Sequence, residues 1–216
     1  MIAIYYTNIS NIEWNEIQSF LPMLSDNEKN RICAIKKDID RCLTLAGRIL
    51  LLHGMTKKSL YSYGRFPEID YTIYGKPYIV NVDFDFSISH SGNMSICAIN
   101  TIGQIGIDIE ELVTTINLCD FSLMFSPSEL RTIKDSNNPI CCFYDLWTTK
   151  ESVMKADGRG FTINPLNIKI VNNSVIFENK KWYIYKVNIL RDYAISLACS
   201  NIQNNIYINE ISIKQK

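Results

Sequence analysis

The sequence has no run of apolar residues approaching the roughly 20 that a membrane-spanning helix needs, and no excess of charge. Its 22 lysines and arginines balance 22 aspartates and glutamates. A balanced chain is not a general polyanion binder, so neither nucleic acid nor a membrane is an expected partner. Histidine is scarce, with His53 and His90 alone in the sequence. No C-x-x-C pair occurs among Cys33, Cys42, Cys97, Cys119, Cys141, Cys142 and Cys199. Structural zinc takes paired sulfur or imidazole ligands, which this chain does not offer at the usual spacings. The cysteines are odd in number and scattered, a pattern of buried reduced thiols rather than of a disulfide framework. The opening stretch "MIAIYYTNIS" lacks the basic region and long apolar core of a secretion signal, so a cytoplasmic location is expected.

What is present is ordinary globular chemistry, 47% hydrophobic and 20% charged over 216 residues. That is enough chain for one large domain or two small ones with a substantial core. "SDNE" (Ser25 to Glu28) has the form of a capping box. The helix after it presents Ile39, Leu43, Ala46 and Leu50 on one face, with Gly54 as its expected stop. "YTIYGKPYIV" holds a turn, and "FDFSISHS" and "MSICAIN" read as strands joined at "SGN". Near Gly103 the order restarts. "IGIDIE" is a strand, and "FSPSEL" opens a helix with Ser126 as cap, Pro127 first and Glu129 completing the box. "NPICCFYDLWTTKESVMKAD" is a longer helix, entered through Asn138 and Pro139 and closed by Gly158. "NIKIV", "KWYIYKVNIL", "YAISLACS" and "IYINEISI" then alternate as strands. The reading is an α+β protein of two similar halves, residues 1–102 and 103–216.

The chemistry concentrates in three places. In a strand, side chains alternate, so Ile105, Ile107 and Ile109 of "IGIDIE" face one way and Asp108 and Glu110 the other. Their Cα atoms stand roughly 7 Å apart, close enough to serve one hard cation. On the longer helix Trp147, Glu151 and Lys155 are spaced i, i+4, i+8 and form one stripe beside Met154. Alone, Glu151 before Lys155 reads as a plain helix salt bridge. If the helix packs across the strand, Glu151 becomes a third carboxylate for the same ion. Three carboxylates without imidazole or thiolate favour magnesium over zinc. In "FSISHSG", Ser87, Ser89 and Ser91 alternate with Phe86, Ile88 and His90. Neighbouring residues of a strand point to opposite faces, which argues against a catalytic Ser–His pair there.

Together "YGKP", "FSISHSG", "IGIDIE" and "WTTKESVMKADGRGF", in this order, resemble the 4′-phosphopantetheinyl transferases, and specifically their surfactin-type, pseudo-dimeric branch. The resemblance implies two α+β halves related by a pseudo-twofold. The implied activity moves 4′-phosphopantetheine from coenzyme A to a serine of an acyl or peptidyl carrier protein. It makes Asp108, Glu110 and Glu151 magnesium ligands and sets Lys155 on the diphosphate, with Glu151, Lys155 and Asp108 as the catalytic set. Either Glu151 or a metal-bound water then takes the serine proton. Lys76 and Pro77 match the loop beside the adenine, and Ser89 and His90 the strand end that receives coenzyme A phosphates. Trp147 and Lys150 are expected to support the helix.

The first half should add basic residues for the 3′-phosphate, with Lys29, Arg31, Lys36, Lys37 and Arg41 available. The arginine that the resemblance calls for four residues before Gly47 is Leu43 here, so either Arg41 substitutes for it or the pocket is weaker. Phe121, Leu123, Met124 and Phe125 are the expected carrier-facing residues, with a place in the core as the alternative. Two halves in one chain imply a monomer.

Overall fold

The computed structural model describes residues 1–60 and 66–213. They divide into two compact units, each with its own sheet and one long helix lying on it. The first unit comprises Met1–Thr72, Pro77–Ile102 and Gln203–Lys216, the second Ile73–Lys76 and Gly103–Ile202. The boundary expected at residue 103 is therefore modified in two places. The last segment joins the first unit because its strand adds in parallel to the first strand of the chain. The four residues Ile73–Lys76 join the second unit, where the Lys76 ammonium donates to the carbonyls of Ile105 and Ala156.

In the first unit, β1 (Ile2–Asn8), β4 (Asp85–Ser91), β5 (Met94–Asn100) and β11 (Ile206–Glu210) form a sheet in the order β11-β1-β5-β4. A short hairpin of β2 (Ile69–Tyr71) and β3 (Pro77–Ile79) stands beside it in sequence. The short helices α1 (Trp14–Ile17) and α2 (Asp26–Cys33) precede α3 (Asp38–Lys57), which lies on β1, β4 and β5. Gly54 does not stop α3, which runs three residues further. Its role is packing: a Cβ there would lie 2.6 Å from both Tyr5 and Ile99. Of the expected apolar face, Leu43, Ala46 and Leu50 are buried, but Ile39 is 42% exposed, while Leu45 and Leu51 widen the buried arc.

The capping box expected at Ser25 is half made. Ser25 accepts from the Glu28 amide, but the Glu28 carboxylate turns inward instead of back to the cap. Glu28 is 2% exposed and accepts from Arg48 at 2.6 Å and from the Tyr71 hydroxyl at 2.5 Å. A buried carboxylate is tolerated only when paired in this way.

In the second unit the sheet order is β6-β10-β9-β8-β7, antiparallel throughout. Its strands are β6 (Ile105–Glu111), β7 (Lys169–Val171), β8 (Ser174–Phe177), β9 (Lys180–Lys186) and β10 (Tyr193–Cys199). The helices are α4 (Pro127–Lys134) and α5 (Pro139–Asp157). Sheet order repeats between units. β1 neighbours β5 and β5 neighbours β4; likewise β6 neighbours β10 and β10 neighbours β9. Beneath α5 the second core gathers Val153, Met154, Ile168, Trp182 and Ala198.

Candidate functional site

The site is built where α5 crosses β6. Asn138 caps α5 by accepting from the Cys141 amide at 3.1 Å, Pro139 takes the first helical position, and Gly158 closes the helix at φ +95°. Such a left-handed terminus suits glycine, which has no Cβ to clash. The approach of helix to strand depends on Gly106. A Cβ at this position would lie 2.0 Å from the Ser152 carbonyl oxygen and 2.3 Å from the Ala156 nitrogen. The helix backbone thus rests on strand backbone. Alternation puts Asp108 and Glu110 on the same face as Gly106, so both carboxylates stand beside the helix that carries Glu151 and Lys155.

One carboxylate oxygen from each of Asp108, Glu110 and Glu151 lies within 4.8 Å of the others. Asp108 is buried, and the two glutamates are half-buried. The Lys155 ammonium donates to Asp108 Oδ1 at 2.6 Å but stands 4.0 Å from Glu151. The plain i, i+4 salt bridge is therefore the weaker of the two contacts. Glu151 has its pKa raised to about 8, first by burial and then by the Asp108 charge. Lys155 opposes that shift, and Glu110 and a hydrogen bond with Asp108 add to it. Ionised together, the three carboxylates would outnumber the one ammonium, and a divalent cation among them would favour their ionised forms. The donors are carboxylate oxygens only, the set a hard ion takes.

Residues 104–198 match the 4′-phosphopantetheinyl transferase superfamily, and residues 10–102 match the N-terminal region of 4′-phosphopantetheinyl transferases. An L-aminoadipate-semialdehyde dehydrogenase-phosphopantetheinyl transferase of Schizosaccharomyces pombe is 32% identical, the match covering 73% of this chain and 67% of that protein. The chain belongs to the 4′-phosphopantetheinyl transferase superfamily.

Two bacterial relatives put it with the surfactin-type members of this transferase family. The transferase gsp of Aneurinibacillus migulanus is 34% identical over 66% of this chain and 62% of its own length. The transferase Sfp of Bacillus subtilis strain 168 is 31% identical over 68% and 66%. The chain thus spans about two thirds or less of the length of these relatives.

The other residues singled out from the sequence fall as follows. Lys76 lies in the second unit, its Nζ 3.3 Å from the Ile105 carbonyl oxygen and 3.2 Å from that of Ala156. It braces the end of α5 against the start of β6. Pro77, Ser89, His90 and Arg41 belong to the first unit. Pro77 opens β3, and on β4 Ser89 is buried and His90 exposed. Arg41 donates to the Ile35 carbonyl at 2.6 Å, the Cys33 carbonyl at 3.4 Å and Asp38 at 2.9 Å, tying the turn between α2 and α3.

Lys150 is fully buried and donates to Glu129 at 3.0 Å and to the Pro165 and Ile168 carbonyls at 2.8 and 3.3 Å. Burial lowers its pKa, against the pull of Glu129. It fastens α5 to the start of α4 and to the segment before β7. Trp147 packs among Phe121, Phe125 and Phe161 at ring separations of 6.2, 6.3 and 6.2 Å. Of the expected carrier-facing residues Phe125 is core, Phe121 and Met124 are half-buried, and Leu123 is 82% exposed. Phe161, outside the expected carrier-facing set, is 68% exposed beside Trp147. Its only sequence signal was its place directly after the "GRG" turn.

Proposed function

We propose that the protein transfers 4′-phosphopantetheine from coenzyme A to a serine hydroxyl of an apo acyl or peptidyl carrier protein, with magnesium as its metal. The carrying observation is the convergence of Asp108, Glu110, Glu151 and Lys155 at the crossing of α5 and β6. In the reaction the serine oxygen bonds to the β-phosphorus, and the bond from that phosphorus to the bridging oxygen breaks. Adenosine 3′,5′-bisphosphate leaves with the electron pair, and the serine gives up its proton. Magnesium, when bound by the three carboxylates, neutralises charge on the diphosphate. Lys155 presents its ammonium to the same diphosphate, a fixed positive group where negative charge grows. Asp108 holds that ammonium in place.

Lys76, Pro77, Ser89 and His90 are assigned to coenzyme A, as is Arg41, whose exposed partner Asp38 is the group a 3′-phosphate would displace. Phe161, exposed beside Trp147, and Leu123, exposed on the segment that carries Phe121 and Phe125, suit an apolar face of the carrier. Because both family-matching segments lie in one chain, the protein is proposed to act as a monomer, in the cytoplasm. The test is intact mass measurement of several apo carrier proteins after incubation with coenzyme A, magnesium and this protein. The expected result is a gain of one phosphopantetheine on at least one carrier. No gain on any of them, with the protein folded and magnesium present, overturns the reading.

A further inference from the structure

Beside the apolar core under α5, the helix also meets the sheet through a polar seam. Thr148, Thr149 and Ser152 of the helix and Ser196 of β10 are each at most 2% exposed, so four hydroxyls are buried in one seam. The strand pairing explains what they meet. Ser196 stands opposite Asp108 on β6 and opposite Lys186 on β9. Lys186, Ser196 and Asp108 therefore form one row across three adjacent strands, on the face that α5 covers.

Lys186 reaches from this row to the helix. Its ammonium donates to Ser196 Oγ at 3.0 Å, to Thr149 Oγ1 at 2.9 Å and to the Asp145 backbone carbonyl. An ammonium has three protons to place, and here each has an acceptor. The Thr148 and Ser196 hydroxyls are 2.7 Å apart, and Thr149 Oγ1 donates to the Asp145 carbonyl at 2.7 Å. The network is closed: strand, lysine, helix carbonyl, helix hydroxyl and strand again. Nearby, Asp145 Oδ1 lies 3.3 Å from the ammonium.

Lys186 stands at the open end of the row, its side chain 38% exposed, while the hydroxyls it bonds are buried. Directional bonds from its ammonium favour one height and one rotation of the helix, since a shift leaves the buried Thr149 and Ser196 hydroxyls unmatched. Glu151 follows Thr149 by two residues, and Asp108 sits at the far end of the row. The separation of these two carboxylates is the quantity such a network controls, and ligand geometry tolerates errors of only about half an ångström.

We propose that Lys186 is a positioning residue for the cation site, locking α5 to the β9–β10–β6 row so that Glu151 is held at ligating distance from Asp108. The proposal rests on the reading that Asp108, Glu110 and Glu151 hold a divalent cation. Manganese, titrated by electron paramagnetic resonance in the presence of coenzyme A, reports on that site without requiring transfer. Lys186→Met keeps the length of the side chain and removes the donor; Thr149→Val keeps the volume and removes one acceptor.

For both variants the manganese dissociation constant should rise, by roughly tenfold for Lys186→Met, the scale seen when groups that orient metal ligands are removed. Transfer at limiting metal should fall in step and recover at high metal. A merely structural lysine would lower the melting temperature and leave the dissociation constant unchanged. Should Lys186→Met fail to fold, Thr149→Val decides. Dissociation constants within about twofold of the wild type overturn the proposal while leaving the cation site intact. Wild-type protein that takes up no manganese overturns both. Wild type and variants that differ in manganese affinity while no carrier is modified would support the tether and sink the transferase reading.

Discussion

Lys155 stands 2.6 Å from Asp108 on the neighbouring strand and 4.0 Å from Glu151 on its own helix. The lysine goes to the buried carboxylate, because an unpaired charge in the interior costs far more than an unpaired charge near solvent. Glu151 is left half-buried and facing Asp108 and Glu110 with a distant counter-charge, and burial first, then the Asp108 charge, pushes its pKa up to about 8. The helix stripe and the strand are one electrostatic unit, whose parts single substitutions separate.

The close crossing of α5 and β6 should fail first at Gly106. Gly106→Ala introduces a Cβ 2.0 Å from a helix carbonyl oxygen, and backbone cannot step aside as a side chain can. The expected cost is about 1–3 kcal/mol of stability, the range for overpacking a tight core. Manganese affinity should fall with it, since the helix and its Glu151 are pushed off the strand. A variant with wild-type melting temperature and metal affinity would show that the crossing is not as tight as described.

Lys150 separates scaffold from chemistry. Lys150→Met removes a fully buried ammonium and leaves Glu129, which is 16% exposed, with the Ser126 amide but without its counter-charge. Stability should drop by about 3 kcal/mol, the lower end for breaking a buried pair. Metal affinity at temperatures well below the melting point should hold. Denaturant unfolding paired with a metal titration checks both halves, and a loss of metal affinity without loss of stability would contradict the assignment.

The coenzyme A contacts are tested by calorimetry. His90→Ala should weaken coenzyme A binding and leave the magnesium dependence of transfer unchanged, because His90 is assigned to phosphate and not to the ion. Lys76→Ala should weaken it too, and should also lower the melting temperature, since its ammonium braces the carbonyls of Ile105 and Ala156. Unchanged affinity in both variants would mean that the assignment of these residues is wrong.

Much of this site could be read before the fold was known, and the reasons are local. Alternation in "IGIDIE" and helical spacing from Trp147 to Lys155 are properties of single elements, and caps such as Ser126, Asn138 and Gly158 act within a few residues. What escaped is what depends on partners distant in sequence. Gly54 resembles a helix stop until Tyr5 and Ile99 are found against it. Glu28 completes a capping box by pattern, but a buried arginine 20 residues on outcompetes the cap. The last strand belongs with the first, a parallel pairing across nearly the whole chain. Lys186, Ser196 and Asp108 are scattered in sequence and meet only through strand register.

The central claim is that α5 exists to hold Glu151 against a cation and Lys155 against a diphosphate, and one substitution tests it most directly. Glu151→Gln keeps size and helical preference and removes a carboxyl whose pKa is raised to about 8. The metal-free protein should melt no lower than wild type, because a neutral amide replaces a carboxyl that costs stability to ionise. Transfer should nevertheless fall by orders of magnitude, since losing one preorganised charged group costs roughly 3 kcal/mol or more. The measurement is transfer rate against magnesium concentration for Glu151→Gln and wild type, with melting temperatures alongside. Partial recovery at high magnesium identifies Glu151 as a ligand, and no recovery identifies it as the base as well. A folded Glu151→Gln protein that transfers at the wild-type rate at every magnesium concentration would contradict the account.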